Sequence, residues 1–216
     1  MIERPILYST EMVRAYLDDK KTMTRRPITA KHNISKHHKK LPYAKAVGFV
    51  HSASPQHWIE QWPLDLRAII PNSVATTMNG DVFKCPYGQI GDKLYCRETW
   101  ATMAIFDELP PRSLVPNSPI WYADTYPDDP TNCGDDKGKT RPSIHMPRWA
   151  SRFPQTITGI RAEIAQNITE EDAIAEGFNS VEEFLSYFIS KYKRTDLWTW
   201  VISYPKYSEE PSRIDG

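Results

Sequence analysis

Residues able to do chemistry gather in three stretches of the chain. The first is Asp18-Asp19-Lys20-Lys21-Thr22-Met23-Thr24-Arg25-Arg26. Arg26 suits a phosphate or the edge of a base, because a guanidinium pairs bidentately with either. Amid so many cations, Lys21 reads as a solvated or phosphate-contacting lysine, and Thr24 as an ordinary strand threonine. The second stretch is Arg97-Glu98, adjacent opposite charges that read as a buried ion pair. The third is Ser143 to Arg152, where Trp149 stands beside His145, Arg148 and Arg152 in a segment bounded by prolines. That tryptophan is either a stacking platform for a base or a cap on one end of a barrel. No P-loop, Gly-x-Gly-x-x-Gly, Gly-x-Ser-x-Gly or His-Glu-x-x-His is present. His32, His37, His38, His51 and His57, with Cys85 and Cys96, match no structural zinc spacing, so no metal or other cofactor is expected.

The chain that must position these residues has 216 amino acids, room for one large domain or two small ones. A chain of this size buries roughly 70% of its unfolded surface, so an ordinary core needs no disulfide or metal. Lys plus Arg is 27 and Asp plus Glu is 27, which argues against a uniformly cationic nucleic-acid coat. The charge is nevertheless uneven. Arg14 to Lys45 holds ten Lys and Arg against Asp18 and Asp19, whereas Glu163 to Glu183 holds seven carboxylates and no Lys or Arg. The basic stretch is the natural place for a phosphate-bearing partner, unless the two segments neutralise each other across the fold. No apolar run approaches the ~20 residues that span a bilayer. The start lacks a signal-peptide pattern, and three cysteines without a Cys-x-x-Cys fit a reducing compartment. A cytoplasmic protein without a membrane partner is expected.

Eighteen prolines imply many short elements. A helix is expected over 10–19, capped by Ser9 or Thr10, with Met12, Val13, Tyr16 and Leu17 on one face. Lys21 to Arg26 reads as a strand ending at Pro27. Residues 29–80 are poorly periodic and read as an insertion with one short helix or hairpin. A strand follows the Gly91-Asp92 turn, and 107–140 is a second insertion interrupted by a short strand at 120–123. Thr156 to Ile168 alternates like a strand. Thr169 and Ser180 each open a helix with a capping-box pattern; Gly177 closes the first, and Val181, Phe184, Leu185, Phe188, Ile189 and Tyr192 form the apolar face of the second. Trp198 to Tyr204 is the closing strand. The expected fold is α+β, one domain over 1–205, with 206–216 a loose tail.

Lys21, Thr24 and Arg26 stand where the ASCH family carries its Gly-x-Lys-x-x-Thr-x-Arg motif, with Asp19 in place of the glycine. Gly91-Asp92-Lys93-Leu94 resembles the family's Gly-Asp barrel strand. Arg97-Glu98-Thr99-Trp100 and Ser143 to Arg152 resemble its larger, phage-associated branch, and Trp200 to Tyr204 its closing strand. The resemblance implies a small PUA-like β-barrel with flanking helices, a bacterial host cell, and nucleic acid or its modified building blocks as substrate.

Small bacterial members of the family are amidohydrolases that remove the acetyl group from N4-acetylcytidine. Carried over, the resemblance makes Lys21 the base, Thr24 the nucleophile and Glu176 the acid. By residue type, Arg25, Arg26, His145, Arg148 and Trp149 are the candidate substrate-binding set. A threonine hydroxyl needs a base to take its proton, and a lysine serves only if burial or neighbouring charge disfavours its ammonium form. For both to act on one atom, Lys21 must belong to the turn and not to the strand. A non-enzymatic module binding RNA or single-stranded nucleic acid is the second reading, and a ribonuclease is compatible with the same family.

Overall fold

The computed structural model describes residues 2–28, 74–76, 82–124 and 136–209. In chain order its elements are β1 (Glu3–Leu7), α1 (Thr10–Leu17), β2 (Met23–Pro27), β3 (Val74–Thr76), β4 (Val82–Lys84), β5 (Lys93–Arg97), β6 (Trp100–Ala101), β7 (Trp121–Tyr122), β8 (Pro154–Thr156), β9 (Gly159–Ile164), α2 (Glu170–Ala175), α3 (Val181–Tyr192) and β10 (Trp198–Ser203). Short 3-10 turns fill several connections. The fold is α+β, and among the described residues its sheets are open, of two or three strands each. The chain divides into two compact units. Most of the 29–80 insertion lies outside the described residues; its described part is β3, which pairs antiparallel with β4, Val74 opposite Lys84.

The first unit comprises residues 1–21, 93–156 and 205–216. β5 is its central strand, parallel to β1 and antiparallel to β8. Ile6, Leu94 and Cys96 are buried here. β1 contains Pro5, and as an edge strand it tolerates the missing N–H. α1 starts at Ser9, whose hydroxyl accepts from the Met12 N–H, and buries Met12, Val13 and Tyr16. It ends in a Schellman motif: the Asp19 N–H donates to the Tyr16 carbonyl (3.0 Å) and the Lys20 N–H to the Ala15 carbonyl (2.9 Å). Asp19 carries the left-handed φ of 59° that this motif requires. Lys21 N–H also donates to Ala15, so Lys21 belongs to the helix cap and the strand begins only at Met23.

Residues 206–209 are tied to the same helix end. Tyr207 packs edge-on to Tyr16 and Phe153, and the Ser208 N–H donates to the Asp19 carboxylate at 2.9 Å. Asp19 therefore combines a glycine-like backbone with an acceptor glycine lacks. We expect Asp19→Ala, which keeps the strained φ and loses the acceptor, to melt below both wild type and Asp19→Gly, measured by thermal unfolding. A second core joins Trp100, Leu114, Met146 and Ala150, with Trp149 and Tyr122 packed against it. Arg141 organises the loop between them, donating to the carbonyls of Phe106 and Leu109 with its guanidinium 5.5 Å from the Trp100 ring.

The second unit comprises residues 22–92 and 157–204. β10 is central, antiparallel to β2 on one side and β9 on the other. The stretch expected as one strand over 156–168 is divided: β8 belongs to the first unit, β9 to this one, and 165–167 is a 3-10 turn. Thr169 and Ser180 cap α2 and α3 as their spacing demands. Phe184 and Phe188 of α3 bury against Ala165, Ile168, Ala173 and Leu197. Gly177, at φ 92°, closes α2 in a second Schellman motif and leaves Glu176 as its last helical-type residue.

Candidate active site

In the second unit, alternation along β2 places Met23 and Arg25 on one face and Thr24 and Arg26 on the other. Arg25 is fully buried, and its guanidinium donates to three carboxylates: Asp172 at 2.5 Å, Glu163 at 3.2 Å and Glu176 at 3.5 Å. It also lies 5.8 Å from the centre of the Phe184 ring. Arg161 contacts the same Glu163 and Asp172. Arg25, assigned to substrate from the sequence, is thus enclosed by acids from α2 and β9 and holds Glu176 in place. Glu176 itself is 2% exposed. The Thr22 N–H donates to the Ala175 carbonyl at 2.8 Å, which fixes the end of α2 against the approach to β2.

Thr24 pairs with Ile202 of β10 in the backbone ladder and has no exposed surface. Its hydroxyl oxygen finds no hydrogen-bond partner among the described residues. A buried hydroxyl in that condition costs about 1–3 kcal/mol, so its retention calls for a reason other than stability. Arg26, on the same face of the strand, is half-buried and donates to the Arg25 carbonyl. Its charge acts on Tyr87, whose phenol burial pushes above its ordinary value while Arg26 opposes the shift.

In the first unit, Lys21 is completely buried, and its Nζ lies 5.6 Å from the centre of the Tyr8 ring. Its amine is thus held away from solvent against the face of a ring. The Tyr8 hydroxyl donates to Oε1 of Gln155 at 3.1 Å. Neither Tyr8 nor Gln155 stands out in the sequence: neither belongs to a motif or to a charged stretch.

The remaining candidates lie at the surface of the first unit. Arg148 is exposed and forms a two-pronged ion pair with Glu3, its guanidinium 5.0 Å from the Tyr95 ring. His145 is exposed in a 3-10 turn, and Trp149 is half-buried against the Trp100 core. Arg97 does not pair with Glu98. It donates to the Ile144 carbonyl and the Tyr95 hydroxyl, while Glu98 turns inward to Arg152. Glu98 is the first residue after β5 and is buried, whereas Arg97 at the strand end stays half-buried, so the two neighbours take different partners.

Arg152 also pairs with Asp124 and stacks 4.1 Å from the Tyr122 ring. One guanidinium thus lies between two buried carboxylates. Burial raises the Glu98 carboxyl from 4.5 to about 7, with Asp124 adding to the rise and Arg152 opposing it. The folded protein then holds a proton that the unfolded chain releases, so stability falls as pH climbs between 4.5 and about 7. We expect Glu98→Gln to remove this slope. The wild-type-minus-variant stability difference, from urea unfolding at pH 5 and pH 8, should change by on the order of 3 kcal/mol.

Among the described residues no helix is long and apolar enough to cross a membrane. Comparison with protein-family models, curated proteins and solved structures finds no match for this chain.

Proposed function

We propose that the chain is a large ASCH-type protein of the PUA-like barrel class, of phage or prophage origin, acting in the cytoplasm of a bacterial host. Its proposed activity is that of an amidohydrolase on N4-acylated cytosine nucleosides such as N4-acetylcytidine. Thr24 is the nucleophile, Lys21 the base and Glu176 the acid. The threonine oxygen attacks the acyl carbon and the bond from that carbon to N4 breaks. Lys21 takes the Thr24 hydroxyl proton, and the Glu176 carboxylate relays that proton to N4 as N4 leaves. Water then cleaves the Thr24 ester, one of its hydrogens restoring the hydroxyl and the other passing to solvent as the acyl group departs as the carboxylate.

The observation that carries this reading is the buried Thr24 hydroxyl without a partner among the described residues. Two others support it. Lys21 is fully buried in a turn, as a base requires. Asp19 has the left-handed backbone that explains a glycine at the motif's first position.

A second reading, a binding module for RNA or single-stranded nucleic acid, draws on Tyr95, whose ring has Arg97 at 5.5 Å and Arg148 at 5.0 Å, with exposed His145 in the same unit. Release of cytidine from N4-acetylcytidine, followed by chromatography at low and high salt, separates the two. The hydrolase is expected to keep its turnover at high salt. A module that only binds phosphates would show no turnover, and an RNA affinity that falls steeply with salt.

A further inference from the structure

Gln155 lies in β8, its backbone opposite Leu94 of β5, and its side chain has no exposed surface. One end of its amide is engaged, since Oε1 accepts from the Tyr8 hydroxyl. The other end, Nε2, is buried and finds no acceptor among the described residues. An amide carries two donors on that nitrogen, and burying them unpaired is unfavourable. Its neighbour Tyr8 also holds the Lys21 amine over its ring, 5.6 Å from the centre, while the hydroxyl at the tip of the same ring meets the amide. A ligand whose reacting group sits at Lys21 would present its far side to Gln155. What that far side must offer is a hydrogen-bond acceptor.

We propose that Gln155 is a specificity-determining residue, whose Nε2 donates to the ring carbonyl oxygen at position 2 of a pyrimidine nucleoside. The choice of pyrimidine rests on the amidohydrolase reading. In an N4-acylated cytosine the acyl amide is the reacting group, and the 2-carbonyl is the strong acceptor across the ring from it. A strand-borne side chain, fixed at its other end by Tyr8, is a rigid donor of the kind that discriminates well. Tyr8 acts through Gln155 as its positioning residue.

The test compares N4-acetylcytidine with its 2-thio counterpart, in which the acceptor oxygen is replaced by weakly accepting sulfur. It uses wild type, Gln155→Met and Gln155→Glu, with calorimetric titration of cytidine alongside. Wild type is expected to favour the oxygen compound. Gln155→Met is expected to raise KM about 10- to 100-fold, with kcat changed much less, and to lose the oxygen-over-sulfur preference. Gln155→Glu keeps the shape, replaces the donor with an acceptor, and gives the same readout if the methionine variant does not fold.

An unchanged preference in both variants, or unchanged cytidine affinity, overturns the proposal while leaving the hydrolase reading in place if wild type turns over. Cytidine binding that depends on Gln155 without any turnover supports the proposal and defeats the hydrolase reading. A wild type that neither binds cytidine nor hydrolyses the acetylated nucleoside overturns both.

Discussion

Thr24→Val is expected to abolish hydrolysis of N4-acetylcytidine and, at the same time, to make the protein more stable. Valine matches threonine in shape and suits a strand, so the substitution removes the hydroxyl and little else. Loss of the attacking atom lowers kcat by about 1000-fold or more. Loss of a buried polar atom without a partner among the described residues raises the unfolding free energy by about 1–2 kcal/mol. A group retained at a cost to stability is what a reactive site looks like in energetic terms. Turnover assays and urea unfolding on one preparation read both quantities. A variant that is less stable than wild type would show that the hydroxyl has a structural bond. A variant that is still active would remove Thr24 from the chemistry.

Arg25→Met is expected to have the largest effect on stability, a loss of about 3–5 kcal/mol. The guanidinium is the common partner of Asp172, Glu163 and Glu176, and removing it leaves these carboxylates facing one another, with Arg161 still on Glu163 and Asp172. Methionine fills the volume and keeps the apolar contact with Phe184, so cavity formation contributes little. Adding Glu176→Gln to Arg25→Met is expected to recover part of the loss, because it removes one of the carboxylates left facing the others. Equal stability of Arg25→Met and wild type, by urea unfolding at neutral pH, would mean the network is solvated in solution and does not hold Glu176.

The residues that write helices were readable directly. Ser9, Thr169 and Ser180 each accept the N–H that their spacing from the helix start implies, and Gly177 closes α2 with the left-handed backbone expected of it. Strand limits were harder because neighbours decide them. Lys21 alternates with the residues after it, yet its N–H is taken by Ala15, so β2 starts two residues later. Pro5 hides β1 from any pattern of strand residues, and only its edge position explains it.

For the site, local charge in the sequence marked Lys21, Arg25 and Arg26 but could not say which is buried. Arg25 faces acids more than 130 residues away in the chain, partners no local pattern reveals. Glu98 lies beside Arg97 in sequence and pairs with Arg152 instead. Gln155 was invisible because its importance lies in a partner it lacks among the described residues, and composition and spacing record only what is present.

The most direct test of the hydrolase reading is acid-quenched incubation of the wild-type chain with N4-acetylcytidine, followed by mass analysis of the peptide that carries Thr24. The expected result is cytidine formation with an acetyl group transiently on Thr24, and neither in the Lys21→Ala chain. Cytidine formation with Thr24 never acetylated, or no cytidine at all from the wild-type protein, would contradict it.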